Sequence, residues 1–103
     1  MFGDMLGGLQ EKQEELKAKL STVEIKESLN DGAIIVTVNA ARELINVELD
    51  DSKIDMTDKA EVEDLVLVAV NNALVKAAAK EAEMSQSLIS SILPPGMENL
   101  LGS

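Results

Sequence analysis

The chain has 103 residues, the length of one small domain with little left over for a second. Its formal net charge is −10, and 46% of its residues are hydrophobic, which excludes a disordered chain. Because it has no Cys, His or Tyr, it is without disulfides, thiolate metal sites and the usual base of a nucleophilic serine.

The chain begins with "MFGDMLGG", which places an acid where a signal peptide needs positive charge. No apolar run of membrane-spanning length follows. We therefore expect a soluble, cytoplasmic protein without a membrane partner.

A first helix is predicted over residues 4–20. Its apolar residues follow the three-four spacing of a coiled-coil seam, which Gln13 interrupts. This stripe is narrower than the apolar face of a helix that covers a sheet, so it predicts contact with a single other helix. The seam residues are Leu6, Leu9, Leu16, Leu20 and Val23.

Three strands are predicted within residues 22–50, as an antiparallel meander with one wet face. Residues 30–32 read NDG, a strong hairpin signal because these residues tolerate the positive φ of tight turns. The following segment, "AIIVTVNA", is the most continuously apolar and is assigned to the central strand. In the third strand, the residues expected to face the core are Ile45, Val47 and Leu49.

The last helical segment, residues 58–92, is expected to cover the sheet. Thr57 or Asp58 can cap its N-terminus, and Pro94 ends it. An unbroken helix of this length measures roughly 50 Å, whereas strands span about 17–20 Å. Either its second half projects, or a break near residues 85–87 makes a helix pair. Residues 93–103 are expected to form a tail that packs back on the protein through Met97, Leu100 and Leu101.

Residues 65–70 read LVLVAV and are apolar all round, so one sheet cannot bury them. Together with the narrow seam of the first helix, this predicts a homodimer. The first helix would pair with the distal part of the last helix, and two such units would dock through the central part. The candidate interface residues are Leu65, Val66, Val68, Ala69, Val70 and Leu74.

The chemistry needed for catalysis is sparse, because acid–base work would fall to carboxylates or lysines. Four aspartates near the start of the last helix, Asp50, Asp51, Asp55 and Asp58, lack the spacing of a calcium loop. We interpret them as a solvated acidic loop. The sequence predicts no enzymatic activity, small-molecule substrate, cofactor or metal site.

Charge is distributed unevenly along the chain. Residues 43–64 hold nine acids and two lysines, whereas residues 9–20 and 71–92 are neutral. From the residues alone, the lysines of the two neutral segments have two possible roles, as solubilising helix-surface groups or as phosphate contacts. These lysines are Lys12, Lys17, Lys19, Lys76 and Lys80.

Five segments occur in an order that points to a known family. They are the opening "MFG", the Gln/Glu/Lys-rich first helix, "VTVNAARELINVELDDSKI" at 36–54, "EVEDLVLVAVNNALVKA" at 61–77, and "LPPGM" at 93–97. On these segments, the chain resembles the YbaB/EbfC family of bacterial nucleoid-associated DNA-binding proteins. It departs from the family where Asn39-Ala40 follows the second strand in place of the usual glycine.

The resemblance implies an α+β fold and a tweezer-like homodimer whose helical arms project from a central core. It further implies binding of double-stranded DNA with little sequence preference, effects on nucleoid organisation and gene expression, and no cofactor. The DNA contacts that it implies on the first and last helices fall on the five lysines named above. The alternative hypothesis is a protein–protein adaptor that uses Met- and Leu-bearing arms without binding DNA.

Overall fold

The protein is built from two helices and a three-stranded sheet. A computed structural model describes the backbone of residues 2–92 and the side chains of residues 8–90. This architecture confirms the predicted α+β fold, while the predicted tail at 93–103 lies outside the described residues. In chain order the elements are α1 (Phe2–Thr22), β1 (Glu24–Leu29), β2 (Ile34–Asn39), β3 (Leu44–Leu49) and α2 (Lys59–Ile92).

The sheet is antiparallel with strand order β1-β2-β3, so β2 is the central strand as predicted. The chain turns between β1 and β2 through Asn30, Asp31 and Gly32, whose φ angles are 52°, 57° and 87°. Other L-residues adopt this left-handed region at a cost, whereas Asn, Asp and Gly enter it readily. The predicted NDG hairpin is therefore confirmed.

The core lies between α2 and the first two strands. Three alanines of α2, Ala69, Ala73 and Ala77, have no exposed area and face the sheet. Their small side chains let the helix axis approach the strands closely. On β2 the opposing residues, also without exposed area, are Ile34, Val36 and Val38.

The third strand is less buried than the sequence predicts. Of the three residues expected in the core, only Val47 packs against it, while Ile45 and Leu49 are 51% and 37% exposed. One reason is that α2 lies across β1 and β2 rather than β3. For Ile45 there is a second reason, a register shift between Thr37 and Val38 of β2, which leaves Ile45 without a partner on that strand.

The last helix is continuous through residues 85–87, so the alternative of a helix pair is wrong. Its N-cap is Asp58, whose Oδ1 accepts a hydrogen bond from the Glu61 N–H at 3.2 Å. With 34 residues, α2 measures about 51 Å and extends well past the sheet. Within residues 2–92, neither helix combines the length and apolar character needed to span a membrane.

Candidate nucleic-acid interface

The projecting part of the molecule, here called the arm, consists of α1 and the distal half of α2. The two helices contact each other, and an open crevice of about 320 Å³ between them is lined by Leu16 of α1 and by Met84 and Leu88 of α2. Lys12 and Lys19 lie along the rim of the same crevice. The prediction that α1 pairs with the distal part of α2 is confirmed.

The base of the arm is tied to the sheet by backbone and amide hydrogen bonds. The Ala40 N–H donates to the Leu20 carbonyl of α1 at 3.1 Å. The Asn39 side chain donates to Glu43 Oε1 at 2.8 Å and accepts from the Glu43 N–H at 3.0 Å. Since Asn39 and Ala40 are both buried, this pair fixes how α1 leaves the sheet.

We expect Asn39→Ala to lower the free energy of unfolding by about 1–3 kcal/mol, because it leaves the Glu43 N–H without its partner. Chemical denaturation measures this change. Asn46→Ala is the matched control, since the Asn46 side chain bonds only an exposed Glu48 carboxylate, and a surface change of this kind stays within about 0.5 kcal/mol. Equal effects of the two substitutions would contradict the role assigned to Asn39.

Three of the five candidate lysines form ion pairs within the chain. Two of these pairs join exposed neighbours on one helix and contribute only about 0.2–0.5 kcal/mol. The third pair joins a lysine of α2 to a glutamate of β1, and the glutamate side chain is only 12% exposed. The pairs are Lys12–Glu15 at 3.9 Å, Lys80–Glu83 at 3.5 Å and Lys76–Glu27 at 2.6 Å.

The other two candidates, Lys17 and Lys19, make no ion pair with any side chain in residues 8–90. Both are exposed on α1. Lys19 lies beside the crevice to α2, and Lys17 lies on the side of α1 that faces Glu43 after the β2–β3 turn. The two candidate lysines without an ion pair are therefore both on α1, which also carries three exposed acids.

Negative charge lies at the opposite end of α2, around the loop that precedes it. The hydroxyl and then the backbone N–H of Ser52 hold the pKa of Asp50 below its usual value. The hydroxyl and the N–H of Thr57 do the same for the pKa of Asp55. These carboxylates stay ionised at neutral pH. Across the described residues, no three acidic side chains are grouped so as to hold a metal ion.

The comparison with known families covers nearly the whole chain. Residues 2–92 match the YbaB/EbfC DNA-binding family. The chain belongs to this family. The YbaB/EbfC chain is 35% identical to a nucleoid-associated protein of Flavobacterium johnsoniae, over 93% of both proteins. It is 32% identical to a nucleoid-associated protein of Methylocella silvestris, over 92% of this chain and 95% of that one.

A solved structure shares the fold of this YbaB/EbfC protein. It is the crystal structure of the uncharacterized protein HP0035 from Helicobacter pylori. The TM-score is 0.75 at 19% sequence identity, and the match covers 85% of this chain and 92% of that one. At this identity the likeness concerns the fold alone, and it places both helices and the sheet in a known arrangement.

The residues that the sequence assigned to a contact between copies lie mostly against the chain's own sheet. Ala69 is fully buried there, and only Val68 is exposed, at 47%. The physical reason is that positions 69, 73 and 77 form the sheet-facing side of α2. The other four candidate interface residues are partly buried and pack against this core; they are Leu65, Val66, Val70 and Leu74.

A different apolar surface remains uncovered, on the flank of α2 that adjoins the β2–β3 turn. Arg42 of that turn lines one open cavity with Leu74 and Ala78 of α2, which identifies the flank. Spacings of three and four place Leu67 on the same flank. The apolar residues that stay exposed on β3 and on this side of α2 are Leu44, Ile45, Leu49, Leu67 and Val75.

Proposed function

We propose that this chain binds double-stranded DNA in the nucleoid as a homodimer, and that its arms clamp or bridge the duplex. Contacts are mostly to phosphates, with little base specificity, and the outcome is an influence on nucleoid organisation and gene expression. The observation that carries the proposal is the placement of unpaired lysines Lys17 and Lys19 on α1, while the ionised acidic loop lies at the far end of α2.

The charge of the arm suggests weak, salt-sensitive binding. Each arm presents two unpaired lysines, and a dimer presents twice that number. A protein that neutralises Z phosphates loses affinity with a slope of about −0.9Z in log salt. If all four lysines contact phosphates, the slope is about −3.6. This is shallower than for strongly basic DNA-binding proteins and agrees with a net charge of −10.

Low base specificity is expected from the donors available. Arginine is the usual reader of guanine edges in the major groove. The only arginine of the chain is Arg42. Its guanidinium lies 3.4 Å from the Glu81 carboxylate, at the base of the arm. Phosphate contacts position a protein on DNA without reading its sequence.

Self-association is supported by the uncovered apolar surface. Leu67 and Val75 of α2 are 61% and 69% exposed, and three apolar residues of β3 are exposed as well. The chain exposes 7278 Å², whereas a compact monomer of its mass exposes roughly 5,600 Å². That leaves ample area for an interface burying about 800 Å² per partner. A second copy presents the same apolar surface and can cover it by two-fold pairing.

The DNA surface is tested by reversing its two unpaired lysines. We expect Lys17→Glu with Lys19→Glu to weaken duplex binding at least tenfold at 50 mM salt, because several phosphate contacts become repulsive in the dimer. Fluorescence anisotropy of a labelled duplex at 50 and 200 mM salt measures the affinity and its salt slope.

The matched control reverses two exposed lysines away from the arm, Lys26 on the open face of the sheet and Lys59 at the start of α2. Both variants lower the net charge by four, so a difference between them reports position rather than total charge. If both lose affinity equally, the DNA surface is not on α1. If the unmodified chain fails to bind duplex even at low salt, a protein–protein adaptor is the better account.

A further inference from the structure

One carboxylate of β1 lies on the apolar side of the sheet. The strand alternates, so Glu27 points to the same face as Ile25 and Leu29, which pack on the core. Its neighbour on β2 is Val36, which has no exposed area. A carboxylate in such surroundings is stable only when it is paired.

The partner of Glu27 is Lys76, one of the candidate DNA contacts. The Lys76 ammonium nitrogen lies 2.6 Å from Glu27 Oε2, and the lysine side chain is still 57% exposed. The same ammonium group can therefore reach a ligand in solvent, but only by giving up part of its contact with Glu27. A phosphate that approached Lys76 would therefore compete with Glu27 for the same ammonium group.

This pair is stronger than the other two on the arm. Glu15 and Glu83 are 60% and 68% exposed and lie 3.9 and 3.5 Å from their lysines, so water screens both pairs. Glu27 is closer and largely removed from water. Electrostatic attraction rises as the effective dielectric constant falls, and short charge-assisted hydrogen bonds are the stronger ones.

We propose that Glu27 is a selectivity-determining residue that withholds Lys76 from weakly charged ligands. This proposal rests on the proposed DNA-binding function. Duplex DNA carries one charge per roughly 1.7 Å of its axis, and it is the ligand expected to displace Glu27 from Lys76. A single strand condenses fewer counterions per phosphate, with a salt slope of about −0.7 per contact against −0.9 for duplex. It therefore competes less well for Lys76.

Replacing the carboxylate with its neutral isostere tests this. We expect Glu27→Gln to raise affinity for a 20-nucleotide single strand roughly threefold or more at 50 mM salt, the effect of about one added phosphate contact. The affinity for the matching duplex should rise less, so the duplex preference falls. Anisotropy titrations of both labelled oligonucleotides at one salt concentration measure the ratio directly.

The control is Glu24→Gln on the same strand, where the carboxylate is exposed on the outward face. It removes the same charge without touching Lys76. The effect of Glu27→Gln should also disappear in a Lys76→Gln background. An increase equal to that of Glu24→Gln, or one that persists without Lys76, would overturn the proposal.

A variant that does not fold and a protein that does not bind DNA can be distinguished from a wrong role for Glu27. If circular dichroism shows that Glu27→Gln does not fold, Lys76→Gln in the otherwise unmodified chain decides the matter. Because Lys76→Gln leaves the Glu27 carboxylate unpaired, its fold is checked in the same way, and Glu27→Gln with Lys76→Gln, which removes both charges, replaces it if it does not fold. Either variant should weaken duplex binding more than single-strand binding, and an equal loss would refute the role of Glu27. If the folded, unmodified chain binds no duplex at low salt, the proposed function itself fails, together with this inference.

Discussion

Replacing Leu67 and Ile45 with glutamate is expected to convert the proposed homodimer into monomers and to weaken duplex binding at least tenfold. Both side chains are largely exposed in the protomer, at 61% and 51%, so the substitutions spare its own core. In the dimer, each would place an unpaired carboxylate inside an apolar contact, at a cost of several kcal/mol. Light scattering coupled to gel filtration should show the mass falling from twice 11.0 kDa to 11.0 kDa.

The matched control is Asn72→Glu with Ser28→Glu. It also adds one carboxylate to α2 and one to a strand, at exposed positions. Asn72 lies on the flank of α2 nearer to β1, and Ser28 lies on the open face of the sheet. This control should remain dimeric. If the Leu67 and Ile45 variant keeps the dimer mass, the two copies join through another surface.

The substitution Ala73→Leu enlarges the central alanine of the core and is expected to lower the free energy of unfolding by about 1–3 kcal/mol. Ala73 has no exposed area and faces the apolar residues of β2, including Val36. Because the helix approaches the sheet through alanines, an added isobutyl group must displace either α2 or its neighbours. Thermal unfolding should show a melting temperature lower by roughly 4–8 °C for each kcal/mol.

Ala79→Leu serves as the control, since Ala79 is exposed on the same helix and both residues are good helix formers. Its effect should stay within about 0.5 kcal/mol. Both variants are compared at one protein concentration, because the stability of a dimer depends on it. Equal melting temperatures would show that α2 does not pack closely on the sheet at Ala73.

Much of the fold could be predicted because its signals are local. The hairpin follows from residues 30–32, whose three φ angles are all positive. The pairing of α1 with the distal part of α2 follows from an apolar stripe on α1 that is too narrow to cover a sheet, and Leu16 and Met84 do line the same crevice between the two helices. Periodicity and turn chemistry act over a few residues, so one sequence suffices to recognise them.

The parts that sequence reasoning missed depend on contacts between distant segments. A run such as residues 65–70, apolar on every side, does not indicate which side faces the sheet. The available signal was the small side chains at positions 69, 73 and 77, which mark close packing. The exposure of Ile45 depends on the register shift in β3 and on which strands α2 covers.

The sequence could assign the candidate lysines to the two helices, but it could not predict all of their ion pairs. The five lysines follow from charge counting along the two helical segments and from family resemblance. Lys12 and Lys80 pair with acids three residues away on their own helices, whereas the partner of Lys76 lies in a distant segment. Glu27 is on β1, and the period of two in that strand already placed it on the same face as Ile25. Its contact with Lys76 requires the packing of α2 across β1.

The most direct test of this account is sedimentation equilibrium of the unmodified chain at micromolar concentration, alone and with a short labelled duplex at 50 mM salt. The expected result is twice 11.0 kDa for the protein alone and two chains on each duplex. A folded single subunit of 11.0 kDa in both measurements, or a dimer that leaves the duplex sedimenting free, would contradict it.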